Sequence, residues 1–327
     1  MKILLTGGAG YIGSHVVLSL LEKKHEVVVI DNLSTGSEKL LPKEVNFYKC
    51  NITDKKETEK ILSSYKFDLL MHFAGFINVE ESMLDPDKYF KNNTDNAISF
   101  FEQCFKFNLN NIIFSSTAAA YGNTENNKSI TENVSLNPIN PYGESKVKTE
   151  KYLIKNKHRF NSIILRYFNV AGSDKNLRTG LMSDKASHLI KIVSEVATGK
   201  RDKIFIYGNN YNTPDGTAIR DYIHVSDLAD IHVEVGKYLL KNLESNLFNC
   251  GYGNGFSVLD VVNTTNSIYQ NKIVYKFSDR REGDVEKLIA DTSKLLKYIK
   301  WQPKYNDLKE IINSSIKWEE KINASNI

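Results

Sequence analysis

The sequence predicts an α/β chain: a doubly wound parallel sheet, joined to a second, smaller mixed α/β domain. Three observations carry that expectation. Short apolar runs alternate with amphipathic helical stretches through the first half, a glycine cluster at Gly7–Gly13 separates the first run from the first helix, and the alternation loosens after Ala171. Strand, helix, strand at this spacing requires crossover connections, which put helices on both faces of a parallel sheet.

In chain order the strand candidates are Lys2–Thr6, Glu26–Ile30, Val45–Lys49, Asp68–Phe73, Asn111–Ser116 and Ser162–Phe168. Ile3–Leu5 and Val27–Ile30 are continuously apolar, as strands covered on both faces are. Helices are expected near Tyr11–Lys23, over Pro86–Phe107 as one long element, and from Pro141–Tyr142, where proline suits a first turn. The first domain is placed at residues 1–170 and the second at 171–327, the latter built from short strands such as Lys203–Tyr207 among loops rich in Gly, Asn and Pro. Asp221–Gly236 again has the pattern of strand and helix, so part of 219–236 is expected to return to the first domain.

Composition narrows the function. The 327 residues carry 43 basic and 39 acidic side chains, a formal charge of +4, without a like-charge block suited to gripping nucleic acid. Cys50, Cys104 and Cys250 are far apart and make no CxxC pair, and the seven histidines are scattered, so neither a disulfide framework nor a metal site is expected. No apolar run approaches the roughly 20 residues of a membrane span, and the N-terminal apolar run is too short for a signal peptide. The expectation is a soluble, cytoplasmic protein with no nucleic-acid and no membrane partner.

Thr6-Gly7-Gly8-Ala9-Gly10-Tyr11-Ile12-Gly13 satisfies both GxGxxG and GxxGxxG. Glycines there allow a tight turn and let backbone approach a pyrophosphate, while the helix N-terminus supplies N–H groups and partial positive charge. A flexible turn is the plainer reading of glycines alone, but strand and helix flank these in the order of a Rossmann dinucleotide site. Asp31 closes the second strand 18 residues after Gly13, where a carboxylate accepts from a ribose 2′-hydroxyl. No arginine follows to neutralise a 2′-phosphate, so NAD is favoured over NADP. A turn-capping role is the alternative for Asp31.

Tyr142 and Lys146 stand at i and i+4 on one helical face. A tyrosine is a poor base at neutral pH, but an adjacent ammonium and a positive nicotinamide ring favour its phenolate. Such a pair alone is commonly a surface pair; about 130 residues after a strand-linked glycine motif it points to catalysis. Ser115-Ser116-Thr117 ends a strand at the edge where α/β sites lie, and Thr117 is the candidate to share a hydrogen bond with the substrate oxygen.

These residues resemble the extended short-chain dehydrogenase/reductases, and among them the UDP-glucose 4-epimerase family most closely. The resemblance spans nearly the whole chain. It is carried by TGGAGYIGSH (Thr6–His15), DNLS (Asp31–Ser34), HFAG (His72–Gly75) and PYGESK (Pro141–Lys146), then by LRYFNVAG (Leu165–Gly172), the run Ile206–Asp230 and RREGD (Arg280–Asp284). The stretch around NTPDGTAIRDYIHV is the most specific. The resemblance implies NAD contacts from Gly7, Gly10, Tyr11, Ile12, Gly13 and Asp31, and from the loop Asn32, Leu33, Ser34, Thr35 and Gly36. Asn51 and Ile52 would flank the adenine, Phe73, Ala74 and Gly75 would line the cofactor, and Asn92, Lys146 and Phe168 would lie near the nicotinamide. It implies a UDP-hexose substrate held by Asn169, Tyr207, Arg220, Arg281 and Asp284, with His188 near the diphosphate, Thr117 and Tyr142 at the sugar, and a homodimer. Guanidinium forks suit diphosphate oxygens, although each arginine has an ordinary ion-pair alternative.

The chain departs from the family pattern at three places. Asn51 replaces the acid expected beside the adenine, Ile77 stands where some members carry lysine, and Leu288 lies near the position that gates the sugar 2-substituent. The expected activity is interconversion of UDP-glucose and UDP-galactose through a 4-keto sugar. The alternatives are a 4-epimerase of UDP-GlcNAc, UDP-glucuronate or a UDP-pentose, and, from another class, a catalytically silent NAD-binding regulator. A 4,6-dehydratase fits less well, because Ala118 and Ala119 occupy the places of its acid–base pair.

Overall fold

The computed structural model describes residues 1–123, 129–183, 188–270, 272–281 and 284–325. In chain order its strands are β1 (Lys2–Thr6), β2 (Glu26–Asp31), β3 (Asn46–Lys49), β4 (Leu69–His72), β5 (Asn111–Thr117), β6 (Asn161–Tyr167) and β7 (Asn169–Ala171). They continue as β8 (Ile204–Tyr207), β9 (Ile219–His224), β10 (Asn246–Cys250), β11 (Gly255–Ser257), β12 (Tyr275–Ser278) and β13 (Lys287–Leu288). Seven of them make one sheet in the order β10-β6-β5-β4-β1-β2-β3, with every pairing parallel. From β1 the chain winds outward to β2 and β3, and from β4 the other way. The strand order therefore reverses between β1 and β4, opening a crevice at their carboxyl ends.

Alternate residues of each strand bury on opposite faces. Ile3, Leu5, Val29, Met71, Ile113 and Leu165 pack into one core, beneath the helices Tyr11–Glu22 and Val225–Asn242. Leu4, Val28, Leu70, Ile112, Phe114 and Ile164 pack into the other, which takes in residues of the helices Lys55–Ser64, Ala97–Lys106 and Pro141–Lys155. A fully buried aliphatic or aromatic side chain contributes about 1.5–3 kcal/mol, so this double coverage is what fixes the strand ends where the site forms.

Two elements differ from the sequence expectation. The stretch Pro86–Phe107 is α-helical only at Pro86–Tyr89 and Ala97–Lys106, with Phe90–Asn96 wound as π-helix between them. The cause lies in hydrogen bonds that leave the helix. The Asn93 carbonyl accepts from Thr149 Oγ1 at 2.9 Å, and Thr94 Oγ1 donates to the Ser145 carbonyl at 2.9 Å. The second difference is β10, which the sequence reading left out of the sheet and which forms its edge beside β6.

Past β6 a single residue, Phe168, separates the main sheet from β7. A second sheet joins β11, β9 and β13, with β7 paired to β9, while β8 and β12 make a two-stranded ribbon. Strand β9 thus belongs to the second sheet, although the helix Val225–Asn242 that follows it packs on the first. Among the described residues no helix is long and apolar enough to cross a membrane, and no cluster of three His, Cys, Asp or Glu side chains could hold a metal ion.

Four buried histidines stitch these layers together. His15 Nδ1 donates to the Tyr11 carbonyl at 2.7 Å, and His72 Nδ1 lies 2.7 Å from Thr6 Oγ1. His232 Nδ1 donates to the Leu228 carbonyl, so its Nε2 accepts from the Tyr167 hydroxyl at 2.6 Å. His224 Nδ1 accepts from the Ser226 N–H. Burial lowers all four below the ordinary histidine value, His15 and His232 to about 4, His72 and His224 to about 3. Between pH 6.5 and about 4 the unfolded chain therefore binds more protons, and stability falls as the pH falls. Asp221, which burial raises to about 6, acts in the opposite sense and offsets one histidine from about pH 6 down to the ordinary carboxylate range. Urea unfolding should lose about 1 kcal/mol per uncompensated histidine per pH unit between roughly pH 6 and 5; an unfolding midpoint that stays flat over this interval contradicts the assignment.

Candidate active site

The turn after β1 is built by contacts only glycine permits. Gly7 has φ +73°, and a Cβ there would meet Ala74 N at 2.6 Å; a Cβ on Gly13 would meet the Gly7 carbonyl at 2.3 Å. Gly10 closes the turn by donating its N–H to the Gly7 carbonyl. The helix that follows, Tyr11–Glu22, starts at Gly10 without a side-chain cap, so no capping side chain takes up its first-turn N–H groups. Ile12 packs on the core, and the Tyr11 hydroxyl donates to the Gly172 carbonyl at 2.6 Å, joining this turn to the end of β7.

Asp31 ends β2 beside that turn. Its two carboxylate oxygens accept from the Ala9 and Leu33 N–H groups at 2.9 and 2.8 Å. This is the capping role, and it does not exclude the binding role, since each oxygen keeps a lone pair that a ribose hydroxyl could use. Burial raises its pKa and the two backbone bonds pull it back. Asn32 accepts from the Ser34 N–H, Leu33 has φ +60°, Thr35 is exposed, and Gly36 packs against the Ala9 carbonyl. Past β3, Asn51 accepts from both the N–H and the hydroxyl of Thr53, while Ile52 packs on the core.

The segment after β4 runs along the crevice. The Phe73 ring lies 5.0 Å from His232, and Ala74 and Gly75 follow it towards the helix Pro141–Lys155: a Cβ on Gly75 would sit 3.3 Å from Lys146 Nζ. Asn92 donates to Asn93 Oδ1 at 3.0 Å. Asn93, which sequence reasoning missed, is the fixed partner of the two: it exchanges hydrogen bonds with both backbone groups of Phe76 and donates to Ser145. Adjacent asparagines in mid-helix, where they are weak helix formers, were the available signal.

The helix Pro141–Lys155 begins at Asn140, whose side chain accepts from the Gly143 N–H at 2.8 Å, with Pro141 in the first turn. This sets Tyr142 and Lys146 over the end of β5. Lys146 is buried, donates to the Ser115 carbonyl at 2.9 Å and lies 5.0 Å from the Phe114 ring centre. Burial lowers its pKa to about 8, while the Glu150 carboxylate acts to raise it. The Thr117 hydroxyl accepts from the Ala119 N–H and sits beside the Tyr142 phenol. Burial raises the Tyr142 pKa and Thr117 lowers it only in part. The sequence reading expected the Lys146 ammonium and a nicotinamide ring together to favour the phenolate; in the folded chain the ammonium donates to the Ser115 carbonyl, and the Tyr142 phenol by itself is neutral at pH 7.

The candidate sugar-nucleotide residues fall into two groups. Asn169 and His188 line a cleft with Tyr11, Gly172 and Tyr222, His188 being exposed at the start of the helix Leu189–Ala197. Arg220 is ion-paired to Asp284, and the Arg281 guanidinium stacks 3.8 Å from the Tyr207 ring centre. Leu288 pairs in register with Arg220 and belongs to a buried cluster with Ala118, Tyr121 and Phe168. This cluster connects the arginine-bearing sheet to the turn after Thr117.

Fold and geometry together define a dinucleotide-binding α/β chain with a Tyr–Lys–Thr cluster at the carboxyl edge of its sheet. A family model described as the NAD dependent epimerase/dehydratase family matches residues 3–251, and the chain belongs to that family. It is 42% identical to a UDP-glucose 4-epimerase of Azospirillum brasilense, over 99% of this chain and 93% of the relative. A UDP-glucose 4-epimerase from Stenotrophomonas maltophila, crystallised with NAD and formylated UDP-arabinopyranose, superposes with a TM-score of 0.96 at 29% identity, covering 99% of both chains. The UDP-Glc/GlcNAc 4-epimerase of Campylobacter jejuni is 43% identical, with a TM-score of 0.85 over 98% of this chain and 99% of that one.

Proposed function

We propose that this protein is an NAD-dependent UDP-glucose 4-epimerase that interconverts UDP-glucose and UDP-galactose. The observation that carries the reading is the cluster at the end of β5: Thr117 beside the Tyr142 phenol, close enough to pull its pKa down, a buried Lys146 ammonium one helical turn further, and alanines at positions 118 and 119. The same activity is that of the curated relatives the chain matches along nearly its whole length.

The uncapped helix N-terminus, the glycine turn and Asp31 suit the diphosphate and ribose of a dinucleotide. NAD held there would supply a hydride acceptor for the sugar C4 and the means of returning that hydride. Tyr142 Oη removes the proton of the 4-hydroxyl, and Thr117 Oγ1 orients that oxygen. The 4-keto sugar then turns within the pocket, and Tyr142 returns the proton once C4 has been reduced from its other face. Because burial holds the phenol neutral, Tyr142 works as a base only with positive charge close by, which makes the cationic form of Lys146 the competent one. Alanines at 118 and 119 transfer no protons, so the keto intermediate meets no acid–base pair for water elimination. In this reading residues 1–170 hold the cofactor, joined by the helix Val225–Asn242 and by β10, and the rest of 171–327 holds the nucleotide sugar. Arg220 and Arg281 grip the diphosphate, with Asp284 orienting Arg220. A cytoplasmic homodimer belongs to this reading as an expectation of the sequence resemblance.

Tyr142→Phe tests the base assignment. Its kcat for UDP-galactose should fall by a factor of about 10² to 10⁴ while co-purified NAD stays near one per chain; retention of most activity contradicts the mechanism.

Leu288 favours a broader substrate range as a second reading. It is an aliphatic side chain between Arg220 and Phe168, at the position resembling the family's gate, and the Campylobacter jejuni enzyme acts on both UDP-Glc and UDP-GlcNAc. Leu288→Tyr should lower kcat/KM for UDP-GlcNAc by about tenfold or more, a cost of roughly 1.4 kcal/mol, and leave UDP-galactose within about threefold. An unchanged ratio of the two substrates contradicts the gate.

A further inference from the structure

Tyr142, Lys146 and Glu150 recur at four-residue steps and so share one stripe of their helix. The first two face the candidate site. Glu150 is fully buried, 16 residues in sequence from Arg166 on β6, which is 3% exposed. The two form a bidentate pair, Arg166 Nε donating to Oε1 at 3.0 Å and Nη2 to Oε2 at 2.6 Å. Glu150 Oε1 also accepts from the hydroxyl of Ser116, the residue before Thr117. Arg166 Nη1 donates to the Tyr121 hydroxyl at 3.0 Å, Tyr121 donates to Asn249 Oδ1 at 2.6 Å, and Asn249 Nδ2 donates to the Ile130 carbonyl at 2.7 Å. One network thus links the catalytic helix, the ends of β5 and β6, the turn after Thr117, and β10.

Stability alone does not account for such a pair, because apolar residues of similar volume commonly serve as well in a core. Its placement does. The groups around Lys146 are Tyr142 and Glu150 on its own helix, neutral His72 from β4, and the Phe114 ring and Ser115 carbonyl from β5. Glu150 is the carboxylate among them, and Arg166 is bound to Glu150. We infer that the Glu150–Arg166 pair is a positioning device for the active site, tying the catalytic helix to the strand ends and holding the Lys146 ammonium in its charged form. Desolvation pushes Lys146 towards the neutral amine and the Glu150 field opposes it. The inference rests on the proposed epimerase reading, in which Lys146 works as a cation.

The test is the pH profile of kcat for UDP-galactose, with bound NAD and the thermal midpoint measured in parallel. In Glu150→Gln the alkaline limb, where the lysine loses its proton, should move about one pH unit towards acid, a roughly tenfold loss of rate beyond the limb. Glu150→Asp keeps the charge and should keep the limb near its wild-type place even where kcat is lower. A purely structural role lowers kcat at every pH and leaves the limb unmoved in Glu150→Gln, which overturns the inference. Where Glu150→Gln fails to fold, Glu150→Gln/Arg166→Met removes both charges together and should shift the limb in the same direction; an unmoved limb there overturns it equally. An inactive wild type overturns this inference and the epimerase reading together, whereas an active wild type with unmoved variants overturns this one alone.

Discussion

The rest of the site depends on one constraint: an ammonium group, Lys146 Nζ, held out of water at the edge of a parallel sheet. A buried cation is costly unless something nearby prefers it charged. The Ser115 carbonyl supplies a direct acceptor and Glu150 a field, and both are in place because the helix Pro141–Lys155 is pinned to β5 at several points. Asn140 fixes where the helix starts, the bonds from Thr94 to Ser145 and from Thr149 to Asn93 fix its depth, and Ser116 with Arg166 fixes its second half. The π-helical turn at Phe90–Asn96 follows from the same pinning, since the Asn93 carbonyl is drawn to Thr149.

The cofactor side is organised by steric closeness. Gly7 lies against the backbone after β4 and Gly13 against the Gly7 carbonyl, so the helix Tyr11–Glu22 starts as near the strand ends as a chain can come. That leaves its N-terminal dipole and its N–H groups, which no side chain caps, at the crevice where the strand order reverses. Phe168, the single residue between β6 and β7, carries the chain out of this sheet and into the one that presents Arg220.

Much of this is legible in the sequence because it is local. The glycine turn, Asp31 at the end of an apolar strand, and the four-residue step from Tyr142 to Lys146 are each read within one element. What stayed hidden depends on partners far along the chain. β10 contains Asn246 and Asn249, poor strand residues by themselves; Asn249 is there to serve Tyr121, 128 residues away. The Arg220–Asp284 pair joins positions 64 apart, and Arg166 has the look of an isolated charge in an apolar strand until Glu150 is set beside it. The break in the expected long helix came from tertiary hydrogen bonds overriding a good helical pattern.

The central claim is that C4 is oxidised and then reduced within one enclosed site, with Tyr142 handling only the proton. UDP-galactose carrying deuterium at C4 tests it most directly, converted in ordinary water with the product read by mass spectrometry and NMR. The account predicts that the UDP-glucose formed retains the deuterium at C4, with no solvent hydrogen entering that carbon. Loss of the label to solvent contradicts it, and so does label recovered at any other position.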